Sequence, residues 1–251
     1  MNLNFPKHKG LFITGTDTDV GKTLITGAIA KILSQTCPEQ GRRKGKNIGV
    51  FKPIATGCKR TKQGLVSKDA KFLACCAKSK FSLDVINPVK FKIPAAPFAC
   101  EKAENRKVDF RKIAAAYKQI CKKSDFVIVE GIGGIKVPIT KNIDVLALAK
   151  AFKLPVIVVA RSKLGTINHT LLTIDTIRRA GLLLAGVIIN GYDEKTKNIA
   201  EKTNAEIINK LGKVKIIATV PFDNKTNMKK FIIGQKIFKA LRNIDWKKIG
   251  R

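Results

Sequence analysis

Short apolar runs that alternate with helical patterns constrain the fold of this chain most strongly. The runs 126–129 (FVIV) and 155–160 (PVIVVA) are apolar at every position rather than at every second one. Strands of this kind belong to a parallel sheet that helices cover on each side. Segment 109–123 has apolar residues three and four apart, as an amphipathic helix does. The alternation predicts an α/β fold with a doubly wound, mainly parallel sheet and helices on both faces.

The same reasoning predicts the other main elements. Further strands are expected at 11–14, 48–51, 185–189 and 214–220. Further helices are expected at 22–33, 145–152, about 165–180 and 194–211. In such a sheet, ligands bind outside the carboxyl ends of the strands, so polar motifs that directly follow a strand are candidates for a site.

Length and composition favour a single folded unit. With 251 residues, 45% of them hydrophobic, the chain can bury a sizeable core. We find no internal repeat or long linker and expect residues 1–251 to form one domain. No apolar run reaches the roughly 18 residues of a membrane span. Residues 1–10 also lack the apolar core of a signal peptide. We therefore expect a soluble, cytoplasmic protein with no membrane partner.

The net charge of +31 by itself suggests a nucleic-acid or membrane-surface binder. Of the 49 basic residues, however, 39 are lysine, whereas base readout and bidentate phosphate contacts favour arginine. The lysines are also scattered, and the densest basic cluster is 42–46 (RRKGK). We favour a solvated basic surface and expect no specific nucleic-acid partner.

The cysteines do not indicate a metal site. The chain has six, none of them in a C-x-x-C pair and none near a histidine at metal-ligand spacing. Reduced thiols in a cytosolic protein are the expected state. Cys58 stands out only because it directly follows one of the motifs below.

A glycine-rich stretch, 15–23 (GTDTDVGKT), lies between the first predicted strand and the first predicted helix. Its backbone N–H groups and the helix N-terminus would form an anion site, where Lys22 can reach the β- and γ-phosphates. The Thr23 hydroxyl can bind Mg²⁺. The match to G-x-x-x-x-G-K-[ST] is not strict, since the first glycine, Gly15, comes one residue early. The setting still favours a phosphate loop over a merely capped helix start.

Three acidic or basic residues lie close to predicted strand ends. Lys52 begins KPIATG (52–57) and would point toward the phosphates, although by itself it could be one more surface lysine. Glu130 begins EGIGG (130–134) and is a candidate Mg²⁺ ligand. Asp69 is a second candidate ligand, or else a carboxylate in the first turn of a helix that Ser67 caps.

Two later motifs also follow strands. In KLGTINH (163–169), Gly165 and Thr166 would begin a helix whose N–H groups could hold a carboxylate, while His169 is best explained as a satisfied helix residue. Asn190 can donate to and accept from a base edge, yet Asn190-Gly191 is also a common turn.

Together these motifs resemble those of the dethiobiotin synthetase family. The likeness covers about 11–239 and rests on motifs in the family's order, namely GTDTDVGKT, KPIATG, Asp69, EGIGG followed by Val137-Pro138, KLGTINH, Asn190 and Pro221-Phe222. It implies a homodimeric P-loop NTPase of biotin biosynthesis. The implied reaction is ATP- and Mg²⁺-dependent closure of a ureido ring, which converts 7,8-diaminononanoate and CO₂ to dethiobiotin, ADP and phosphate. It proceeds through a carbamate and a carbamic-phosphoric anhydride.

The resemblance also implies a role for each matching residue. Lys52 would be catalytic and stabilise charge on the carbamate and γ-phosphate. The metal ligands would be Thr23, Asp69 and Glu130. The substrate would be bound by Thr56 and, across a dimer interface, by Gly165, Thr166 and Asn168. The nucleotide would be bound by Asp19, Val20, Gly21, Lys22, Thr23, Leu24, Asp69, Glu130, Gly131, Ile132, Gly133, Asn190, Gly191, Pro221, Phe222 and Asp223, with Asn190 and 221–223 at the adenine.

Two other functions fit part of the pattern. The high charge would suit a DNA- or membrane-associated partitioning ATPase, but such proteins usually carry a second lysine early in the phosphate loop, and here 16–19 are TDTD. An amidotransferase of the cobyrinate type shares the ATPase core and appends a glutaminase domain, for which 251 residues leave no room.

Overall fold

The computed structural model describes residues 5–35, 47–62 and 64–251. Its strands are β1 (Gly10–Gly15), β2 (Ile48–Phe51), β3 (Ile54–Ala55), β4 (Lys59–Thr61), β5 (Gly64–Val66), β6 (Val89–Lys90), β7 (Phe126–Gly134), β8 (Val156–Arg161), β9 (Leu184–Tyr192) and β10 (Ile216–Pro221). Its helices are α1 (Lys22–Gln35), α2 (Lys68–Cys76), α3 (Leu83–Ile86), α4 (Pro97–Ala103), α5 (Phe110–Lys123), α6 (Val145–Phe152), α7 (Thr166–Arg179), α8 (Ile199–Gly212), α9 (Gln235–Leu241) and α10 (Trp246–Ile249). A 3-10 turn covers Met228–Lys230.

The central sheet has six strands in the order β10-β9-β8-β1-β7-β2, and all neighbouring strands pair in parallel. From β1 the chain crosses β7 to reach the edge strand β2. It then returns to β7 and crosses β1 to reach β8. The direction of winding therefore reverses beside β1, which is where α/β sheets open a crevice for ligands. The predicted doubly wound α/β fold is confirmed.

Helices cover both faces of this sheet and create two apolar cores. One face packs against α1, α2, α9 and α10, and the other against α5, α6, α7 and α8. Successive residues of β1 alternate between the cores, with Leu11 and Ile13 in one and Phe12 in the other. Both faces of a strand are thus buried, which explains why the strand sequences are apolar at every position.

The six strands and five helices expected from the sequence are all present, with shifted ends. The largest shift is in α8, which begins at Ile199 rather than near Glu194. Polar turns precede it: the Lys195 amide donates to the Asp193 carboxylate, and Asn198 caps the helix by accepting from the Ala200 amide. Of the short elements between β2 and α5, only the helix that Ser67 caps had been considered, and α9 and α10 had not been predicted.

The basic cluster 42–46 and Cys37 lie outside the described residues. The five cysteines that the structure describes are free thiols. Among the described helices, none combines the length and apolar character needed to cross a membrane.

An aromatic cluster anchors α6 to the sheet. The Phe152 ring stacks on Phe5, with centroids 4.3 Å apart, and meets the Tyr117 ring edge-on at 4.8 Å. Phe12 and Phe51, from β1 and β2, complete the cluster. Because Phe152 is only 1% exposed, its side chain contributes both apolar burial and aromatic contacts to stability.

Replacing Phe152 with alanine should therefore lower the free energy of unfolding by about 3–5 kcal/mol, since a buried cavity is left behind. Urea denaturation followed by circular dichroism measures this loss. Leu211→Ala is a suitable control because Leu211 is 64% exposed, and its effect should stay within about 0.5 kcal/mol. A Phe152→Ala loss below about 1 kcal/mol would show that the cluster does not hold α6.

Candidate functional site

A cavity of about 670 Å³ opens at the carboxyl ends of the central strands, next to the point where the winding reverses. Its walls come from the loop after β1, the start of α1, the exit of β2, α2, the end of β7 and a segment before α4. The lining residues are Thr18, Asp19, Gly21, Lys22, Thr23, Leu24, Lys52, Ala55, Thr56, Asp69, Pro94, Ala95, Ala96, Glu130, Ile132, Gly133, Val137 and Met228. The motifs at residues 15–23, 52–57 and 130–134, together with Asp69, thus meet in one place.

The loop after β1 has the backbone shape of an anion cradle. Gly21 has a φ of +93°, and a Cβ there would clash with the Asn190 amide nitrogen. Glycine is required at this position for both reasons. The loop leads directly into α1, which begins at Lys22, so free N–H groups at the helix start face the cavity.

Lys22 is buried, and its ammonium bends back onto its own loop. Its Nζ donates to the Asp17 carbonyl at 2.7 Å. Burial and the nearby positive charge of Lys52 lower the pKa of Lys22 to about 8. A dianionic or trianionic phosphate beside the loop would relieve both effects, since it supplies the negative charge that the buried ammonium lacks.

The most tightly arranged group is the ammonium of Lys52. Its Nζ lies 2.6 Å from Glu130 Oε1, 3.0 Å from Asp69 Oδ2 and 3.0 Å from the Gly131 carbonyl oxygen. Burial alone would lower the pKa of Lys52, but the two carboxylates outweigh it and hold the pKa above the ordinary lysine value. Lys52 in turn lowers the pKa of Asp69. Lys52 is therefore buried and paired with two carboxylates, and the surface-lysine interpretation is wrong.

The two carboxylates also satisfy the requirements of a divalent metal. Thr23 Oγ1 donates to Glu130 Oε1 at 2.7 Å, so a hydroxyl joins the same group. Glu130 Oε2 is fully buried and has no hydrogen-bond partner in the described part of the chain. Mg²⁺ takes one or two carboxylates and fills its other positions with water and phosphate oxygens. Among the described residues there is no group of three or more His, Cys, Asp and Glu that could hold a metal ion by itself.

Asp69 lies in the first turn of a helix, as one interpretation expected, and it also lines the cavity, where its binding of a metal stays a prediction. It lies in the first turn of α2, and the Ser67 side chain caps that helix by accepting from the Ala70 amide at 3.3 Å. Its carboxylate nevertheless reaches Lys52 across the cavity. The helix cap therefore orients the turn that carries the site residue.

Apolar side chains form another part of the wall. Ala55, Pro94, Val137 and Met228 line the cavity together with Ile132. Pro94, Ala95, Ala96 and Met228 had not been predicted, because no motif marks them and only tertiary packing brings them to the site. A charged wall with an apolar wall nearby suits a substrate that carries polar ends on a hydrocarbon chain.

The residues expected at the adenine do not line this cavity. The Asn190 side chain instead donates to the Val20 carbonyl of the phosphate loop at 3.0 Å, and the Gly191 carbonyl accepts from Ser162. Phe222 is 67% exposed. The Asp223 carboxylate accepts the backbone N–H groups of Lys225 and Lys236. Pro221 is the last residue of β10, the strand that pairs with β9, and Phe222 and Asp223 follow it.

The start of α7 also lies apart from the cavity. Gly165 caps the helix with a φ of +88°, Asn168 is exposed, and Thr166 is buried with an Oγ1 that has no partner among the described residues. His169 lies on the wall of a second, more open cavity of about 400 Å³, together with Lys136. Within one chain, therefore, Gly165, Thr166 and Asn168 do not lie in the same cavity as Thr56.

Sequence reasoning missed three side chains that support the site. Arg161, at the end of β8, forms an ion pair with Asp17 at 2.8 Å. Asn204 donates to the Ser162 carbonyl at 2.6 Å. Asn87 donates to the Lys52 carbonyl at 2.7 Å. Arg161 could have been found, since it directly follows an apolar strand, whereas the two asparagines carry no local signal.

Comparison with known proteins identifies relatives of this chain. Residues 9–230 match a family model described as an AAA domain. The ATP-dependent dethiobiotin synthetase BioD of Thermodesulfovibrio yellowstonii is 37% identical over 243 residues, which are 94% of this chain and 96% of the relative. The enzyme of the same name from Nitrosopumilus maritimus is 35% identical and aligns over 96% of this chain and 99% of its own.

Among solved structures, the septum site-determining protein MinD of Pyrococcus horikoshii, complexed with Mg-ADP, is similar in fold. It aligns over 97% of this chain and 94% of its own, with a TM-score of 0.55 and 15% identity. At that identity the likeness shows the P-loop NTPase fold alone. The relatives that match at above a third identity along nearly the full length of both chains confirm the resemblance seen in the motifs. The chain belongs to the ATP-dependent dethiobiotin synthetase family.

Proposed function

We propose that the protein closes a ureido ring, converting 7,8-diaminononanoate, CO₂ and ATP to dethiobiotin, ADP and phosphate in biotin biosynthesis. The observation that carries the proposal is the convergence of a phosphate loop, a buried ammonium and two carboxylates in one cavity. Phosphoryl transfer depends on positioning and on neutralised charge, and these groups provide both. Membership of the dethiobiotin synthetase family supports the assignment of substrate.

The phosphate loop binds and orients the triphosphate of ATP. Its amides and the start of α1 face the β- and γ-phosphates, and the Lys22 ammonium moves from the Asp17 carbonyl to a phosphate oxygen. Thr23, Asp69 and Glu130 hold Mg²⁺, which neutralises charge on the phosphate oxygens when bound. Asp19, Val20, Gly21 and Leu24 complete the loop and the first helical turn. Ile132 and Gly133 line the cavity from β7, and Gly131 precedes them on that strand.

Lys52 acts on the reacting groups. One substrate amine captures CO₂ as a carbamate, whose oxygen attacks the γ-phosphorus while ADP leaves. The second amine then attacks the carbonyl carbon of the carbamic-phosphoric anhydride, loses a proton and expels phosphate. Negative charge develops next to the Lys52 ammonium in the first of these steps, and a buried cation stabilises such charge strongly. Thr56, on the same wall, donates to the carbamate or contacts the amine.

The remaining residues complete the site outside the cavity. We assign the adenine to Asn190, Gly191 and the segment Pro221–Asp223, supported by the contact of Asn190 with the phosphate loop. Gly165, Thr166 and Asn168 lie outside the cavity of their own chain. We therefore assign them to the carboxylate of a substrate that is bound in the cavity of the partner subunit. The protein accordingly works as a single-domain, cytoplasmic homodimer without a nucleic-acid or membrane partner.

A partitioning ATPase is the other function that the fold suggests, but we do not propose it. The likeness to MinD concerns the fold alone, at 15% identity. The phosphate loop has TDTD at 16–19 instead of an early lysine.

The proposed function predicts a product. Purified protein supplied with 7,8-diaminononanoate, bicarbonate and MgATP should form dethiobiotin in a one-to-one ratio with ADP, as mass spectrometry and a coupled ADP assay can measure. Omission of bicarbonate should stop both. ADP formation without any dethiobiotin at saturating substrates would contradict the proposal.

Lys52→Ala should leave nucleotide binding almost unchanged and lower kcat by about 10²–10³-fold, the usual loss when one electrostatic stabiliser of a transition state is removed. Calorimetry with ADP and steady-state kinetics measure the two properties. Lys118→Ala, which removes one exposed lysine of α5, is the matched control and should leave kcat unchanged. A near-normal kcat in Lys52→Ala would show that Lys52 has another role.

Glu130→Gln should raise the Mg²⁺ concentration needed for half-maximal rate by at least about tenfold, because the buried oxygen that is free to ligate the ion loses its charge. Titration of activity with Mg²⁺ at fixed ATP measures the change. Glu206→Gln on the exposed side of α8 is the control. An unchanged Mg²⁺ requirement would remove Glu130 from the metal site.

A further inference from the structure

Asn87 is fully buried beside the backbone of Lys52. Its Nδ2 lies 2.7 Å from the Lys52 carbonyl oxygen and 3.1 Å from the Val89 carbonyl oxygen. Both partners are acceptors, so the amide nitrogen and not the oxygen must face them. The other amide atom, Oδ1, is buried and has no hydrogen-bond partner in the described residues. The donor half of the amide is therefore the part that the structure uses.

The chain leaves the central sheet at the residue that Asn87 holds. The pairing of β2 with β7 ends at Phe51, and the next strand, β3, pairs with β6 instead. Pro53, which follows Lys52, has no N–H to offer a neighbour. The Lys52 carbonyl thus lies beyond the sheet ladder, and among the described residues Asn87 is the donor recorded for it, so its loss would leave a buried acceptor unpaired there.

Both backbone polar groups of Lys52 are held by consecutive residues. The Lys52 N–H donates to the Ile86 carbonyl at 2.8 Å, and the Lys52 carbonyl accepts from Asn87. Ile86 is the last residue of α3, and Asn87 ends that helix by donating its own N–H to Leu83. The end of α3 therefore fixes the backbone from which the Lys52 side chain extends.

We propose that Asn87 is a positioning residue that places the Lys52 ammonium for the reaction. The inference rests on the proposed function and adds to it a residue that does not touch substrate. A lysine side chain has four flexible methylene groups, so the place of its ammonium depends on its acceptors and on its backbone. If Glu130 and Asp69 also hold Mg²⁺, Lys52 has to share these acceptors with the ion, and the backbone anchor then matters more for the position of the ammonium. A misplacement of about 1 Å is enough to lower a rate about 100-fold.

The kinetic test uses Asn87→Leu, which keeps a similar size and removes the donor. We expect kcat to fall about 10- to 100-fold, with KM for ATP and the Kd for ADP within about threefold of wild type, since Lys22 and its loop are untouched. Asn209→Leu is the control. Asn209 lies in α8, is exposed and does not line the cavity, and its Nδ2 likewise donates to a backbone carbonyl, that of Val214 at 2.8 Å. It should lower stability without changing kcat.

A double-mutant cycle shows whether Asn87 acts through Lys52. In a Lys52→Met background, adding Asn87→Leu should change the remaining rate less than about twofold, since the group that Asn87 positions is gone. An equal loss in both backgrounds would overturn the proposal. If the leucine variant does not fold, Asn87→Ser replaces it: the shorter hydroxyl cannot reach both carbonyls, and the same losses are expected.

A second readout does not depend on the reaction. The ammonium of Lys52 is held by three acceptors, so its protons should exchange slowly and give a ¹H–¹⁵N signal that Lys52→Met removes. Asn87→Leu should broaden or abolish this signal, whereas Asn209→Leu should retain it. An unchanged signal, or a kcat within twofold of wild type, would overturn the proposal. Absence of dethiobiotin from the wild-type assay would instead overturn the proposed function and leave this test valid.

Discussion

The pairing of the buried Lys52 ammonium with Glu130 and Asp69 is the interaction on which the rest of the site depends. A charge in the interior is tolerated only when it is paired and its hydrogen bonds are satisfied. Here the three charges come from the exit of β2, the tip of β7 and the first turn of α2. The electrostatic requirement therefore joins three separate segments at the edge of the sheet, and α2 in particular is oriented by it.

The carboxylates of Glu130 and Asp69 serve two purposes in the cavity. In this structure they neutralise Lys52, and in the proposed reaction they also hold Mg²⁺. Lys22 also has a partner within the chain, since its ammonium donates to the Asp17 carbonyl of the phosphate loop. Both cations thus have partners within the chain, and in the proposed reaction phosphate and carbamate oxygens would offer them further partners. A site arranged in this way avoids unpaired buried charge without its substrates and gains stronger partners with them.

Much of the fold and of the candidate site could be predicted from the sequence, because the relevant signals are local. Apolar runs such as 126–129 identify strands buried on both faces, and a polar motif directly after a strand must lie at the ligand-binding edge of a parallel sheet. What could not be predicted depends on distant contacts. Met228, Pro94 and Asn87 carry no motif, and each reaches the site only through the packing of short elements whose sequences have no clear period. Lys52 in isolation resembled any surface lysine, and only its surroundings show otherwise.

The contact between Asn190 and the phosphate loop would link the two parts of the proposed nucleotide site, the adenine and the phosphates. Gly21 must be glycine partly because the Asn190 amide occupies the space of its Cβ, and that amide also holds the Val20 carbonyl. The two positions are therefore not independent in evolution or in engineering. A substitution at Asn190 chosen to change which base the enzyme accepts would also alter the shape of the loop that grips the phosphates. Base preference and phosphate affinity should consequently vary together in this protein.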